Sequence, residues 1–423
     1  ITSSGLIEIT TPFGTVTSSG NFTVLSSQNY YAVADGDWNN ASTWALNCSA
    51  GSGGAGVPTA IDNVTICSGR TVTNNIANQS CNNLIVEGIL YNDLRNLTIE
   101  GTTTVTGSLE GLTTTVTFKN NIVNEGTISL DNTSITNFSA ASPMTITDIT
   151  NGGITLFGTT TANCNITLNT ISSPSEEWIE FASLSVPSNT ITNNGNARIM
   201  GSLTGAGTWT NADNSKLYYE NAAAPAITTF DLSGADNEVI YCGGDQDILG
   251  GVYQGIQFWN EITRNGITPV TKTLQGAITQ ASENKDIAIG YDATTAGTVE
   301  LNANGNTMNI FGNFYINGGV GTKLTSGATI TFEGNNSKQM ATGTNANIPF
   351  IDIGNLQINK QSGTSLTIGL DVNVGLGLDL INGTLNIGSQ ILTLSKNVAS
   401  VGGFPFSASK MIVFDGIAGR ISK

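Results

Sequence analysis

The sequence predicts an all-β fold, a right-handed parallel β-helix with an N-terminal cap, and three observations carry that prediction. Gly is abundant, with 50 residues in a chain of 423, and each Gly inside a helix costs about 1 kcal/mol. Short runs of alternating apolar and polar residues, rich in Val, Ile and Thr, recur along the chain. Such runs suit a pleated strand with one buried face. Asn, Gly and Ser separate the runs, and local patterns repeat.

Composition narrows the function. Hydrophobic residues make up 39 % of the chain, enough to bury a continuous core. Charged residues make up only 11 %, about half the usual share. The net charge is −16, and the 15 Lys and Arg are scattered. A nucleic-acid partner needs clustered cations, so none is expected. An acidic chain also disfavours anionic lipid surfaces, and no apolar run is long enough to span a bilayer, so no membrane insertion is expected.

Residues 1–82 differ in texture from the rest and are expected to form leading strands and a cap. They hold Trp38 and Trp44, three of the five Cys, and the Gly-rich loop Gly51 to Gly56. Stacked strands expose an edge at each end, which is why a coil of this kind needs caps. Cys67 ends an apolar run and Cys81 precedes the next, so Cys67–Cys81 is the expected disulfide. Cys48–Cys67 is the rival pairing, and buried free thiols are the third reading. Asp35, Asp37 and Asn39 have the spacing of a calcium loop. An EF-hand loop would also place Gly sixth and Glu twelfth, where this chain has Asn40 and Leu46. The alternative is a turn whose Asp side chains accept backbone N–H bonds. Trp38 and Trp44 are expected to seal the first turn, the other reading being a sugar-stacking platform.

Residues 83–423 are expected to form the β-helix. Leu84–Gly88 and Leu97–Gly101 are typical strand-and-corner segments. Asn-Gly or Asn-x-Gly leads into a strand at Asn124–Leu130, Asn151–Leu156 and Asn382–Ile387, because Asn and Gly supply the backbone angles of sharp corners. Hairpins give similar local signals, but self-similarity favours a solenoid. Lys216–Asn221 is echoed by Val239–Gly244, which sets Tyr219 and Tyr241 one period apart. A third echo, Ile330–Asn335, lies close to four such periods on. Gln246–Gly250 and Gln339–Gly343 continue the second and third copies alike. A period of about 22 residues suits one turn of two or three strands. Past Val401 the chain does not read as a cap, so more protein is expected to follow Lys423.

The stretch Gly36-Asp-Trp38…Thr43-Trp44, followed by Pro58…Asp62-Asn-Val-Thr-Ile66…Gly69…Val72, resembles the N-terminal region of large Bacteroidetes surface proteins exported by the type IX secretion system. The segment Gly205–Trp209 through Phe230–Ser233 to Tyr241–Gly244 is similar to the middle of the same regions. The resemblance covers most of the chain. It implies a secreted, adhesin-like or filament-forming exoprotein, in some relatives acting in gliding motility or in attachment to surfaces and polysaccharides. It also implies structural roles for Trp38, Trp44, Pro58, Asp62 and Gly69. Such cargo carries a C-terminal sorting domain, and none is visible here.

Catalysis is not expected. Glycoside cleavage needs two carboxylates facing each other across a groove. The densest acidic groups are Glu176, Glu177 and Glu180, and Asp286 with Asp292. No His is present to activate a Ser, Thr or Cys nucleophile. The expected product is therefore a non-enzymatic extracellular surface protein without a cofactor, a stiff stalk or filament segment. Its expected partners are cell-surface or secretion-system proteins, polysaccharide, or further copies of itself. A carbohydrate-binding or carbohydrate-active β-helix is the competing reading.

Overall fold

The computed structural model describes residues 3–24, 26–149, 155–170, 178–260, 268–290, 297–317, 322–325, 327–342, 350–395, 397–398, 401–403, 405–414 and 418–423. Their regular elements are all β-strands, joined by turns and corners, except for a 3-10 turn at Ala41–Thr43. The chain divides into two compact units, Ile1–Gly158 and Thr159–Lys423. Each is a β-solenoid in which strands pair in parallel with strands one turn away.

In the regular part of the first unit each turn contributes three short strands. One turn is Leu84–Val86, Ile89–Tyr91 and Asn96–Ile99, and the next is Thr103–Val105, Ser108–Gly111 and Thr115–Phe118. Leu84 pairs with Thr103, Ile89 with Ser108, and Asn96 with Thr115, so the coil advances by the same step on all three sides. Parallel coiling is already under way before residue 83. Asn29–Ala32 pairs in parallel with Asn63–Ile66, which pairs in turn with Leu84–Val86. Alternation puts every second side chain inside. Leu97 and Val116 stack inward on neighbouring turns, as do Ile99, Phe118 and Phe138. The rings of Phe118 and Phe138 lie 6.0 Å apart.

The second unit keeps the three-strand turn but varies its length. Gln246–Ile248, Gly251–Tyr253 and Gly255–Phe258 are followed by Val270–Leu274, Ile278–Gln280 and Ile287–Ile289. Tyr219 and Tyr241 are register partners, as their spacing predicts, with ring centroids 5.9 Å apart. The third echo does not stack on them. The column of Tyr241 continues through Phe258, Ile289 and Ile316. Ile330 and Phe332 belong to a different column, above Met308 and Ile310. The reason is that turn length is not constant. Glu238 pairs with Gly255, a short turn, whereas Ile256 pairs with Ile287, a much longer one. Four equal periods therefore do not return to the same face.

The expected corner chemistry is present. In the Asn-x-Gly corners the Asn side-chain oxygen accepts the Gly N–H, at Asn124 and Gly126, Asn193 and Gly195, and Asn386 and Gly388. The corner at Asn151 lies partly outside the described residues. A second corner device was not read from the sequence. Gly88, Gly107 and Gly126 recur at the step of the first unit and lie one above another. A Cβ on Gly107 would stand 2.0 Å from the Gly88 carbonyl oxygen, and one on Gly126 would stand 2.2 Å from that of Gly107.

The disulfide corrects the sequence reading. Cys67 bonds Cys48, with Cα atoms 6.1 Å apart, and not Cys81. Cys81 takes an inward position of its strand, fully buried and level with Ile99 one turn on. Cys67 follows the inward Ile66, so alternation turns it away from the coil interior, toward the loop that carries Cys48. Cys164 and Cys242 are likewise buried thiols.

The glycine stack gives a test. Gly107→Ala should destabilise the protein by about 1–3 kcal/mol, because a methyl group forced against a backbone carbonyl must move a packed corner. Gly51→Ala, with open space around its Cβ position, should change little. Chemical denaturation of both variants checks this, and equal stability of the two would contradict the corner argument.

Candidate functional site

Of the motif residues of the N-terminal region, Trp38, Trp44, Pro58 and Asp62 are buried and Gly69 is exposed. Trp38 and Trp44 are both fully buried and pack edge to face, 5.2 Å between centroids. The Trp44 indole N–H donates to the Trp38 carbonyl at 2.7 Å. Neither ring face is open to a sugar, so the pair seals the first turn. Asp62 is the polar anchor of the same motif. Its carboxylate accepts from Gln28 N at 2.8 Å and from Thr59 N and Oγ1 at 2.8 and 2.6 Å. Pro58 is buried, and Gly69 turns the chain with φ of +72°.

Asp35, Asp37 and Asn39 lie at two-residue spacing, and all three are exposed. Asp35 accepts from Thr71 N, and Asn39 accepts from the Asn75 side chain, each at 2.9 Å and each one turn on. Two of the three candidate calcium donors therefore link turns, and only Asp37 lies in a strand, Gly36–Asp37. Among the described residues no group of three or more Cys, Asp or Glu is placed to hold a metal ion.

The candidate acids do not form a facing pair among the described residues. Glu176, Glu177 and Asp292 lie outside them. Asp286 accepts from the backbone N–H of Asn313 at 3.0 Å and from its side chain at 2.9 Å. Glu180 accepts the indole N–H of Trp178.

That Trp178 contact opens onto a feature sequence reasoning missed. On the outer face of one column, Glu180, Arg198, Tyr218, Ile240 and Gln257 follow one another turn by turn. Outward positions are normally wet, yet Arg198, Tyr218 and Ile240 are at most 2 % exposed. Trp178 packs on Tyr218 with centroids 5.0 Å apart, and Trp259 packs on the same ring at 5.9 Å. The Arg198 guanidinium stands 4.8 Å over the Trp178 ring and pairs with Glu220. Trp178 and Trp259 remain half-buried. This strip is the candidate functional site, since aromatic, cationic and carboxylate groups converge there outside the coil interior. The signal available in the sequence was the pair of Trp residues near acids, but only the register brings residues 178 and 259 together.

A second unread feature lies inside. Lys272 is fully buried in the strand Val270–Leu274. Its ammonium donates to the carbonyls of Gly243 and Gly244 at 2.6 and 2.8 Å and to the Gln246 side-chain oxygen. Gln246 in turn donates to the carbonyls of Tyr219 and Asn221, both at 3.0 Å. Three neutral oxygens thus take the place of water around a buried cation. Burial brings its pKa down to about 7, against the raising influence of Cys242, Asp245 and Glu220. Cys81, by contrast, is a poor nucleophile at neutral pH, since burial and the nearby Glu100 hold its thiol up at about 12.

Comparisons with models of protein families, with curated proteins and with solved structures found no match. The fold and the site therefore rest on the geometry alone.

Lys272 predicts a pH dependence of stability. Between pH 7 and 10.5 the unfolded chain holds this proton and the folded chain does not. The cost of burial is therefore full below about pH 7 and grows no further there, while above pH 7 deprotonation of the folded form limits it, but the unfolded chain still gains by binding the proton until pH 10.5. The net penalty fades as pH rises through that window. In denaturation curves collected across it, the wild type should gain stability with pH relative to Lys272→Met. A constant difference between the two proteins would show that Lys272 does not titrate there.

Proposed function

We propose that this chain is a stiff, non-enzymatic segment of an extracellular surface protein, a stalk or filament piece of the type IX-secreted Bacteroidetes kind, serving attachment or gliding. The observation that carries the reading is the parallel register itself. Strand after strand bonds to its neighbour one turn away, from Asn29–Ala32 to Leu84–Val86 in the first unit and from Ile179–Ser185 to Ile412–Phe414 in the second. A coil bonded at every turn resists bending without a large globular core. The Cys48–Cys67 disulfide suits an oxidising compartment. Surface charges pair between turns, as in Lys119 with Glu100 at 2.8 Å and Lys323 with Glu300 at 3.0 Å. Partners on this reading are cell-surface or secretion-system proteins.

A carbohydrate-binding role is the second reading, and the strip of Trp178, Tyr218 and Trp259 beside Arg198 and Glu220 favours it. Its catalytic version has less support, because Glu180 and Asp286 are already engaged. Calcium at Asp35 and Asp37 belongs to neither reading.

Three measurements test the proposal. Far-UV circular dichroism should be almost purely β, and small-angle scattering should give an elongated particle; a globular profile would end the stalk reading. On a glycan array the wild type should stay silent if the role is mechanical. Binding that disappears in Trp178→Ala and Trp259→Ala would install the second reading in its place.

A further inference from the structure

The coil begins with a strand whose outer edge is already taken. Asn29–Ala32 pairs in parallel with Asn63–Ile66 on one edge. On the other edge it pairs antiparallel with the two-residue strand Trp44–Ala45, Tyr31 opposite Ala45 and Ala32 opposite Trp44. The Val33 N–H donates to the Thr43 carbonyl at 2.9 Å and extends this pairing. Trp44–Ala45 thus stands where a preceding turn would bond. It blocks the open edge that stacked parallel strands leave at their end.

The loop after this edge strand runs out through Cys48 and returns through Gly54 and Ala55. Their N–H groups donate to the Trp44 carbonyl at 2.8 and 3.0 Å. In residues 46–54 no residue is buried, and Leu46 is 58 % exposed. A Cβ on Gly51 or Gly54 would meet nothing within 4 Å. The loop therefore has no apolar anchor of its own, and the Cys48–Cys67 bond supplies one. Cys67 follows directly on Asn63–Ile66, so the bond ties the two neighbours of Asn29–Ala32 to each other. The base of the edge strand is held separately, by the buried Trp44 ring and by the Thr43 Oγ1 bond to the Asp37 carbonyl at 3.0 Å. Release of the loop is therefore a local opening and not an unfolding of the coil.

We propose that the Cys48–Cys67 disulfide is a redox latch on the first edge of the coil. Oxidised, it confines Trp44–Ala45 to the edge of Asn29–Ala32. Reduced, it lets the edge strand and its loop open, and the backbone groups of Asn29–Ala32 become free to pair. Cys48 is exposed and Cys67 is buried, so an external thiol reaches the Cys48 sulfur. A reductant thiolate attacks that sulfur, and the Cys67 sulfur leaves as thiolate and takes up a proton. The second thiol of a dithiol reductant then displaces Cys48 from the mixed disulfide. One dithiol is oxidised to its disulfide, and the protein disulfide is reduced to two thiols. An oxidising exterior thus keeps the coil end shut, and a reducing compartment leaves it open.

Hydrogen exchange of the whole folded chain, with and without dithiothreitol, tests this. The Val33 amide is the reporter, because its bond to Thr43 belongs to the latch. The Leu84 and Thr103 amides, bonded between turns further along the coil, are the controls. Reduction should speed exchange at Val33 by at least about tenfold, a modest part of the freedom returned when a cross-linked loop is opened. Leu84 and Thr103 should not change, and reoxidation should restore Val33. Cys48→Ser, at an exposed position, should exchange at Val33 like the reduced wild type without any reductant. Unchanged exchange at Val33, with the bond shown open by thiol alkylation, would overturn the proposal, since Trp44 alone would then hold the edge strand. An equal rise at Leu84 and Thr103 would also overturn it, because the disulfide would then staple the whole unit. Protection that fails to return on reoxidation would rule out a switch.

Discussion

The backbone hydrogen bond from one turn of the chain to the next is the interaction on which the rest of the structure depends. Each strand offers N–H and C=O groups along both edges, and a coil bonds one edge to the turn before and the other to the turn after. Leu84 N donates to Thr102 O at 2.9 Å, and Thr103 N donates to Asn121 O at 3.0 Å, in the same sense along the column. Unpaired backbone groups are costly when buried, so the register is preserved even where the turn length is not. Insertions are absorbed at corners, and the columns continue above them. This is why the short turn from Glu238 to Gly255 and the long one from Ile256 to Ile287 coexist within one column.

Two constraints follow from that bonding. Identical positions on successive turns come into contact, so like side chains stack. Inside, this gives aromatic and aliphatic columns such as Ile99, Phe118 and Phe138. At corners it gives buried amide ladders, with Asn74 donating to Asn92 at 2.5 Å and Asn193 to Asn211 at 3.0 Å. Where backbone approaches backbone, only Gly fits, as at Gly88, Gly107 and Gly126. The second constraint is that the interior is narrow and must satisfy any polar group it admits. Lys272 meets this with carbonyl oxygens and Gln246. Arg198, buried on the outside of its column, meets it with Glu220 and the face of Trp178.

The sequence disclosed strands, corners and the Tyr219–Tyr241 stack because these depend on local alternation and on a short, repeated spacing. It did not disclose the rest for equally physical reasons. Cys67 had two partners at comparable distance in sequence, and the choice depended on which way alternation turned each side chain. Ile330 and Phe332 looked like another copy of Tyr241, but a variable turn length moved them to a different face. The even step of Gly88, Gly107 and Gly126 lies in the sequence too, but it is shorter than the step from Tyr219 to Tyr241 and hides behind it. The strip around Arg198 joins residues 178 to 259 through four register steps, which no pairwise motif encodes.

By itself, then, the amino-acid sequence determined the fold class, the inward and outward sides of most strands, the corner residues, and the burial of the Trp38 and Trp44 pair. These are set by side-chain period and backbone preference, which act over a few residues. The tertiary structure alone decided the disulfide partner, the register of each column, the outer strip and the solvation of Lys272. Each of those depends on which residue lies one turn away, and that distance is fixed only when the chain has coiled and its backbone hydrogen bonds have closed.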